Sequence, residues 1–327
     1  MEIVVSGIRP TGNLHLGNYF GAVKSFVQMQ YEYKCFFFIA DWHSLTTHPK
    51  PTNLRQSVNT ILAEYLACGL DPEKATLYLQ SDVDEVAELY LYLNMNAYLG
   101  ELQRVTTFKE KVRTQPDNVN AGLLTYPALM AADIIIHKAV KVPVGKDQEQ
   151  NMEMARKFAR RFNQIYGVDY FPEPAPFHFS DKAVKVPGLD GSGKMGKSEG
   201  NAIYLMDDEK TIHKKVMRAV TDSGPTDPDS PKPEPIQNLF TMMEIVSGKD
   251  TYDYFNDKYN TCAIRYGDMK KQLAVDINTF CAPIRERINE LAANEHYLEK
   301  VFRDGAHKAA QSAHETLNEV RRIIGFR

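Results

Sequence analysis

Hydrophobic positions follow two registers along the chain. From Cys35 to Ala40 they are unbroken (CFFFIA), and Thr76 to Gln80 (TLYLQ) is nearly so. Continuous rather than alternating apolar residues are what a parallel strand needs when both of its faces are covered. Ile3-Val4-Val5 reads as a shorter buried strand, and Val142 to Val144 and Val184 to Val186 as two more. Between these runs the spacing changes to three and four. Phe20, Val23 and Val27 predict one helix, and Leu54 to Cys68 predicts another, with Gly69 fitting a C-cap. Met152, Ala155, Ala159 and Phe162 form the buried face of a third, opened by Gly145-Lys146-Asp147-Gln148. This alternation predicts a doubly wound, Rossmann-type α/β domain on a parallel sheet.

The pattern changes beyond residue 200. Asp208 to Val220 reads as a helix with Ile212, Val216 and Val220 on one stripe and Lys210, Lys214 and Arg218 on another. Pro225, Pro228, Pro231, Pro233 and Pro235 then crowd into a loop, and residues 236–322 read as helices without a strand. The predicted division is an α/β domain over 1–200 and a smaller all-helical domain over 201–327, whose last helix can pack back on the first. A length of 327 residues suits two domains, and 43% hydrophobic with 25% charged residues is the composition of a soluble globular protein. No apolar run approaches a membrane span, and Glu2 with no apolar leader argues against a signal peptide. Four scattered cysteines without a C-x-x-C pair fit reduced thiols in a cytoplasmic protein. With a net charge of −3, any nucleic-acid contact has to come from a local basic patch. Arg156, Lys157, Arg160 and Arg161 are one such cluster; they read as a solvated surface or as a contact for a phosphate backbone.

Three stretches carry candidate chemistry. Ser6 to Gly21 (SGIRPTGNLHLGNYFG) joins a strand to a helix through a glycine-bearing loop, which makes an anion site of free N–H groups and the helix dipole. It matches neither G-x-G-x-x-G nor G-x-x-x-x-G-K-[ST]. In the second stretch, Thr125 can cap a helix that tolerates Pro127 in its first turn. Tyr126, Met130 and Asp133 then share one face. A carboxylate within Leu-Met-Ala-Ala-Asp-Ile-Ile-Ile needs a donor. It is either a buried Asp bonded to a backbone amide or an Arg, or the acceptor of a pocket for a flat ring with one N–H, such as indole. The third stretch, Pro187 to Gly200, carries glycines at 188, 191, 193, 196 and 200 and predicts a mobile loop around two lysines.

His15-Leu16-Gly17-Asn18 resembles the His-Ile-Gly-His signature of class I aminoacyl-tRNA synthetases, and Lys194-Met195-Gly196-Lys197-Ser198 resembles their Lys-Met-Ser-Lys-Ser. Together with ADWHSLT, GELQRVTTFKEK, GLLTYPALMAADI, PVGKDQEQN and RAVTDS in order, the chain resembles the bacterial tryptophanyl-tRNA synthetases. The resemblance implies activation of L-tryptophan by ATP with Mg²⁺, then transfer to the 2′-hydroxyl of the terminal adenosine of tRNA(Trp). It also implies a homodimer, and a helical domain that binds the tRNA anticodon. By resemblance, His15, Asn18, Lys194 and Lys197 are catalytic. Arg9, Pro10, Thr11, Gly17, Asn18, Gly145, Lys146, Asp147, Val186, Lys194, Met195, Gly196, Lys197 and Ser198 bind ATP, with Lys109 and Lys111 approaching from the other side. Asp133, Tyr126, Met130, Val142, Val144, Gln148 and His43 form the tryptophan pocket. No general base or metal site is required, and none is read. Three positions depart from the family pattern: Arg9 stands where many relatives carry Gln, Gly196 for the signature Ser, and Lys146 for an acidic residue. A tyrosyl-tRNA synthetase shares the fold and both signatures, and a non-aminoacylating paralogue is the alternative of another class.

Overall fold

A computed structural model describes residues 1–145, 148–177, 185–197 and 199–326. The strands are β1 (Ile3–Ile8), β2 (Lys34–Ile39), β3 (Thr76–Leu79), β4 (Lys141–Pro143) and β5 (Ala175–Phe177). They form one parallel sheet in the order β3-β2-β1-β4-β5, with Val4 opposite Cys35 and Lys141, and Phe37 opposite Leu77. Alternation along each strand feeds two cores. Val4, Phe37 and Leu77 pack on one face, and Val5, Phe36, Phe38 and Tyr78 on the other. The unbroken apolar run of β2 is thus explained by cover on both sides.

The first face is covered by α2 (Lys24–Met29) and α4 (Pro51–Ala67), the second by α5 (Asp84–Met95), α8 (Ala121–Ile135) and α9 (Glu149–Tyr166). The chain therefore winds outward from β1 through β2 to β3, then returns to β4 on the other side of β1. The reversal makes the carboxyl ends of β1 and β4 the switch point, where such sheets open a crevice. Ser6 Oγ donates to Pro143 O at 3.4 Å across it.

Helices complete the molecule: α10 (Glu209–Met217), α11 (Glu234–Val246), α12 (Lys249–Asn260), α13 (Tyr266–Ala292) and α14 (Glu295–Ile324). The last crosses the β3 edge and joins both cores. Leu298 and Val301 belong to the first, Ala309, Ala313 and Leu317 to the second. Gly305 permits this approach, because a Cβ there would overlap the Leu77 carbonyl oxygen.

Several sequence expectations are corrected. Lys185 and Val186 are not a strand, and Val184 lies outside the described residues. The fifth strand is instead Ala175–Phe177, whose Pro176 is tolerated because β5 is an edge. The cap of α8 is Asn120, accepting from Leu123 N at 3.1 Å, whereas Thr125 sits inside the helix and donates to Ala121 O. Val220 is 45% exposed, so the buried stripe of α10 ends at Val216. Pro235 lies in the first turn of α11, where its missing N–H costs nothing.

Candidate active site

The loop after β1 leads into α1 (Leu16–Asn18), which continues as a π-helical stretch (Tyr19–Val23) into α2. His15 caps it. Its Nδ1 accepts from Asn18 N at 3.3 Å while the His15 backbone N–H donates to Asn18 Oδ1 at 3.2 Å. Burial, then Lys197 and Lys194, push the imidazole down to about 4, so His15 is uncharged at neutral pH. With Nδ1 accepting, the hydrogen sits on Nε2 and is a donor for an anion. A backbone pairing fixes the loop: Leu16 N donates to Ile203 O at 2.9 Å, and Leu205 N to Leu14 O at 3.0 Å.

That pairing carries the lysine segment to the switch point. Met195 N donates to Val186 O at 3.0 Å, and Lys197 Nζ to Gly12 O at 2.8 Å. Burial lowers the Lys197 ammonium from its ordinary value, against the pull of Glu64. Asn201, 4% exposed, organises the loop. Its Oδ1 accepts from Gly196 N at 2.9 Å, and its Nδ2 faces Asp190 Oδ1, Ser192 Oγ and Lys194 O at 2.9–3.1 Å. Lys194 itself is exposed. A Cβ at Gly196 would fall on the Glu199 carboxylate, the movable end of a flexible side chain. Lys146, Asp147 and Ser198 lie outside the described residues.

Asp133 is 2% exposed, and burial raises its carboxyl above the usual range. The partners are neither a backbone amide nor an arginine. His43 Nε2 lies 2.8 Å from Oδ2, and Gln80 Nε2 donates to Oδ1 at 2.8 Å. His43 comes from α3 (Asp41–Ser44) after β2, and Gln80 from the turn after β3, so two strand ends converge on the carboxylate carried by α8. Tyr126 meets His43 edge-on at 4.8 Å. Val142 is in the second core with Met130 and Val144 packed against it, and Gln148 Oε1 accepts from Asn151 Nδ2 at 2.9 Å. His43 Nδ1 and Gln80 Oε1 are buried without a partner. Close by, a cavity of about 340 Å³ is lined by Trp42, His43, Thr46, Tyr90, Asn120 and Tyr126 among others, but not by Asp133.

Sequence reasoning missed Gln80, Glu64 and Asn201. The first two carried a signal: Gln80 ends an apolar strand, and Glu64 interrupts Ile-Leu-Ala-Glu-Tyr-Leu on a helix. Of the basic cluster, Arg156 pairs with Glu153, Arg160 with Glu173 and Arg161 with Glu101, which favours its plain reading as a surface. Lys109, on α7 (Thr106–Thr114), is exposed. Among the described residues no three His, Cys, Asp or Glu side chains gather as a metal site.

A doubly wound sheet, an anion-binding turn at its switch point and a lysine loop folded onto that turn define a nucleotide-handling α/β protein. The family model "tRNA synthetases class I (W and Y)" matches residues 2–282, and the chain belongs to that family. It is 73% identical to the Tryptophan--tRNA ligase of Porphyromonas gingivalis over 327 residues, covering all of both chains. It is 42% identical to that of Fusobacterium nucleatum, covering 100% of this chain and 98% of the relative. The solved tryptophanyl-tRNA synthetase of Campylobacter jejuni, complexed with ADP and tryptophan, superposes with a TM-score of 0.90 at 35% identity, covering all of both chains. A tyrosyl-tRNA synthetase from Archaeoglobus fulgidus, at 18% identity and a TM-score of 0.66, covering 88% of this chain and 90% of that one, shares the fold.

Proposed function

We propose that the chain is a tryptophan–tRNA ligase, activating L-tryptophan with ATP and passing it to tRNA. The observation that carries this is its end-to-end similarity to such ligases, with Asp133 of α8 buried where the ends of β2 and β3 meet it. In the first step a tryptophan carboxylate oxygen attacks the α-phosphorus of ATP, the bond to the β-phosphate bridge breaks, and pyrophosphate leaves with Mg²⁺. The enzyme's task there is positioning and charge stabilisation. The His15 Nε2–H, the α1 terminus and Lys197 are suited to the phosphates, and exposed Lys194 to the leaving pyrophosphate. In the second step the 2′-hydroxyl of the tRNA's terminal adenosine displaces AMP from the carbonyl.

For the indole, Asp133 is an acceptor already held by two protein donors. Tryptophan binding exchanges one of them for the indole N–H, which leaves the carboxylate satisfied. Met130, Val142 and Val144 supply the apolar wall, and the helices after residue 201 the tRNA anticodon surface. The same reading carries a homodimer. Leu91 and Met95 of α5, and Tyr98 and Leu99 at the start of α6 (Leu99–Leu102), support it, being large apolar side chains left exposed along one short stretch of chain. No helix among the described residues is long and apolar enough to cross a membrane, and a cytoplasmic location agrees with the reading.

The test is amino-acid-dependent ATP–pyrophosphate exchange, with tryptophan and tyrosine offered separately. Exchange with tryptophan alone is expected, reduced at least about 100-fold in Asp133→Ala and in Lys194→Ala. Exchange with tyrosine instead would transfer the chain to the sister activity, and silence with both would overturn the ligase reading.

A further inference from the structure

One buried charge has no part in the chemistry above. Glu64 is fully buried on α4, between Ala63 and Tyr65, and its two oxygens each lie 3.0 Å from Leu14 N. One amide hydrogen does not satisfy a carboxylate, which offers about four acceptor positions. Two residues earlier in the same loop, Lys197 donates to the Gly12 carbonyl. The turn is therefore gripped from below by an acid and from above by the lysine of the signature loop. Lys197 is the cation that acts on Glu64. The other titratable groups facing it are Tyr65 and Cys68 on its own helix, with Cys281 of α13 beyond Cys68. Burial raises all three, so they stay uncharged at neutral pH. His15 is uncharged as well. Lys194 and Glu199 of the lysine loop reach His15 beside Lys197, and the charge that acts on Lys197 itself is Glu64.

We infer that Glu64 is a positioning residue for Lys197, an internal anion that holds the lysine against the Gly12–Leu14 turn and that the phosphates of ATP must displace. The inference rests on the ligase reading and adds to it a competitor inside the protein. Ionised Glu64 draws Lys197 toward the turn and repels the incoming phosphates, whereas protonated Glu64 does neither. Burial pushes this carboxyl up to about 7, so the competitor switches across the neutral range. Its ionised fraction grows as pH rises, and ATP binding should weaken in the same direction.

The experiment is tryptophan-dependent ATP–pyrophosphate exchange by the full chain at saturating tryptophan and Mg²⁺, between about pH 6 and pH 8.5. In the wild-type protein KM for ATP should rise about three- to tenfold across that range, with a smaller change in kcat. Glu64→Gln keeps an oxygen for Leu14 N and removes the charge. Its KM should stay at the low, acidic-side value throughout, and the substitution should have no further effect on KM in a Lys197→Gln background. A purely structural role would lower kcat and thermal stability and leave the pH slope of KM in place. A flat wild-type KM, or an unchanged slope in Glu64→Gln, overturns the inference. Wild-type protein with no tryptophan-dependent exchange overturns the ligase reading itself. The wild-type pH profile requires no variant to fold.

Discussion

Asp133 and His137 lie one helical turn apart, both almost wholly buried, and burial moves their proton affinities in opposite senses. Each favours the uncharged form. His137 stacks on Phe36 at 4.2 Å, with its Nε2 3.0 Å from Tyr78 Oη and its Nδ1 3.1 Å from Ser312 Oγ, and burial pushes it down to about 3. The unfolded histidine binds a proton below about 6.5 while the folded one does not, so this contribution to stability is present above 6.5 and is lost as pH falls toward 3. In urea unfolding at pH 7 and pH 4.5, the stability advantage of wild type over His137→Phe should shrink at the lower pH by up to roughly 3 kcal/mol. An advantage independent of pH would mean that His137 is accessible to protons in the fold. Asp133 was legible as a candidate because a lone carboxylate in an apolar helix is conspicuous. Its donors were not, since His43 and Gln80 are 90 and 53 residues away in sequence.

At the scale of elements, α14 is tied to its neighbours by more than apolar contact. Arg321 forks onto Glu88 of α5, and Tyr170 Oη donates to Thr316 O at 3.2 Å. At Gly305 the atom a Cβ would strike belongs to the backbone of β3, which cannot turn aside. Gly305→Ala should destabilise by about 2 kcal/mol or more, against the small gain that alanine brings to a solvated helix. The check is a melting temperature lowered by roughly 3 °C or more. An unchanged melting temperature would show that α14 can lift from the sheet at little cost. Helix existence was legible from periodicity, whereas boundaries depended on single hydrogen bonds, as at α8. There Asn120 rather than Thr125 takes the cap, and Pro127 is carried in the interior.

For the whole molecule, the apolar residues left on α5 and α6 set the expectation of association. Met95 is 76% exposed, Tyr98 64% and Leu99 59%. Sedimentation velocity at micromolar concentration should give twice the 37.1 kDa chain mass, and Met95→Glu with Leu99→Glu should return the monomer. A wild-type monomer would sink the dimer. A dimer untouched by both charges would move the interface elsewhere.

Local pattern by itself determined the parallel sheet, the helix faces, the helical second half and the two signature segments, because each depends on residues a few positions apart whose spacing matches a strand, a helix or a turn. Only the tertiary structure decided that Ala175–Phe177 closes the sheet, that His43 and Gln80 meet on Asp133, and that α14 returns to β3. It also decided that Asn201 ties the lysine loop, and that Glu64 and Lys197 grip one turn. These depend on which strand ends the winding brings together. They depend also on burial, which turns an ordinary carboxylate, lysine or imidazole into a group that must find its partner within reach.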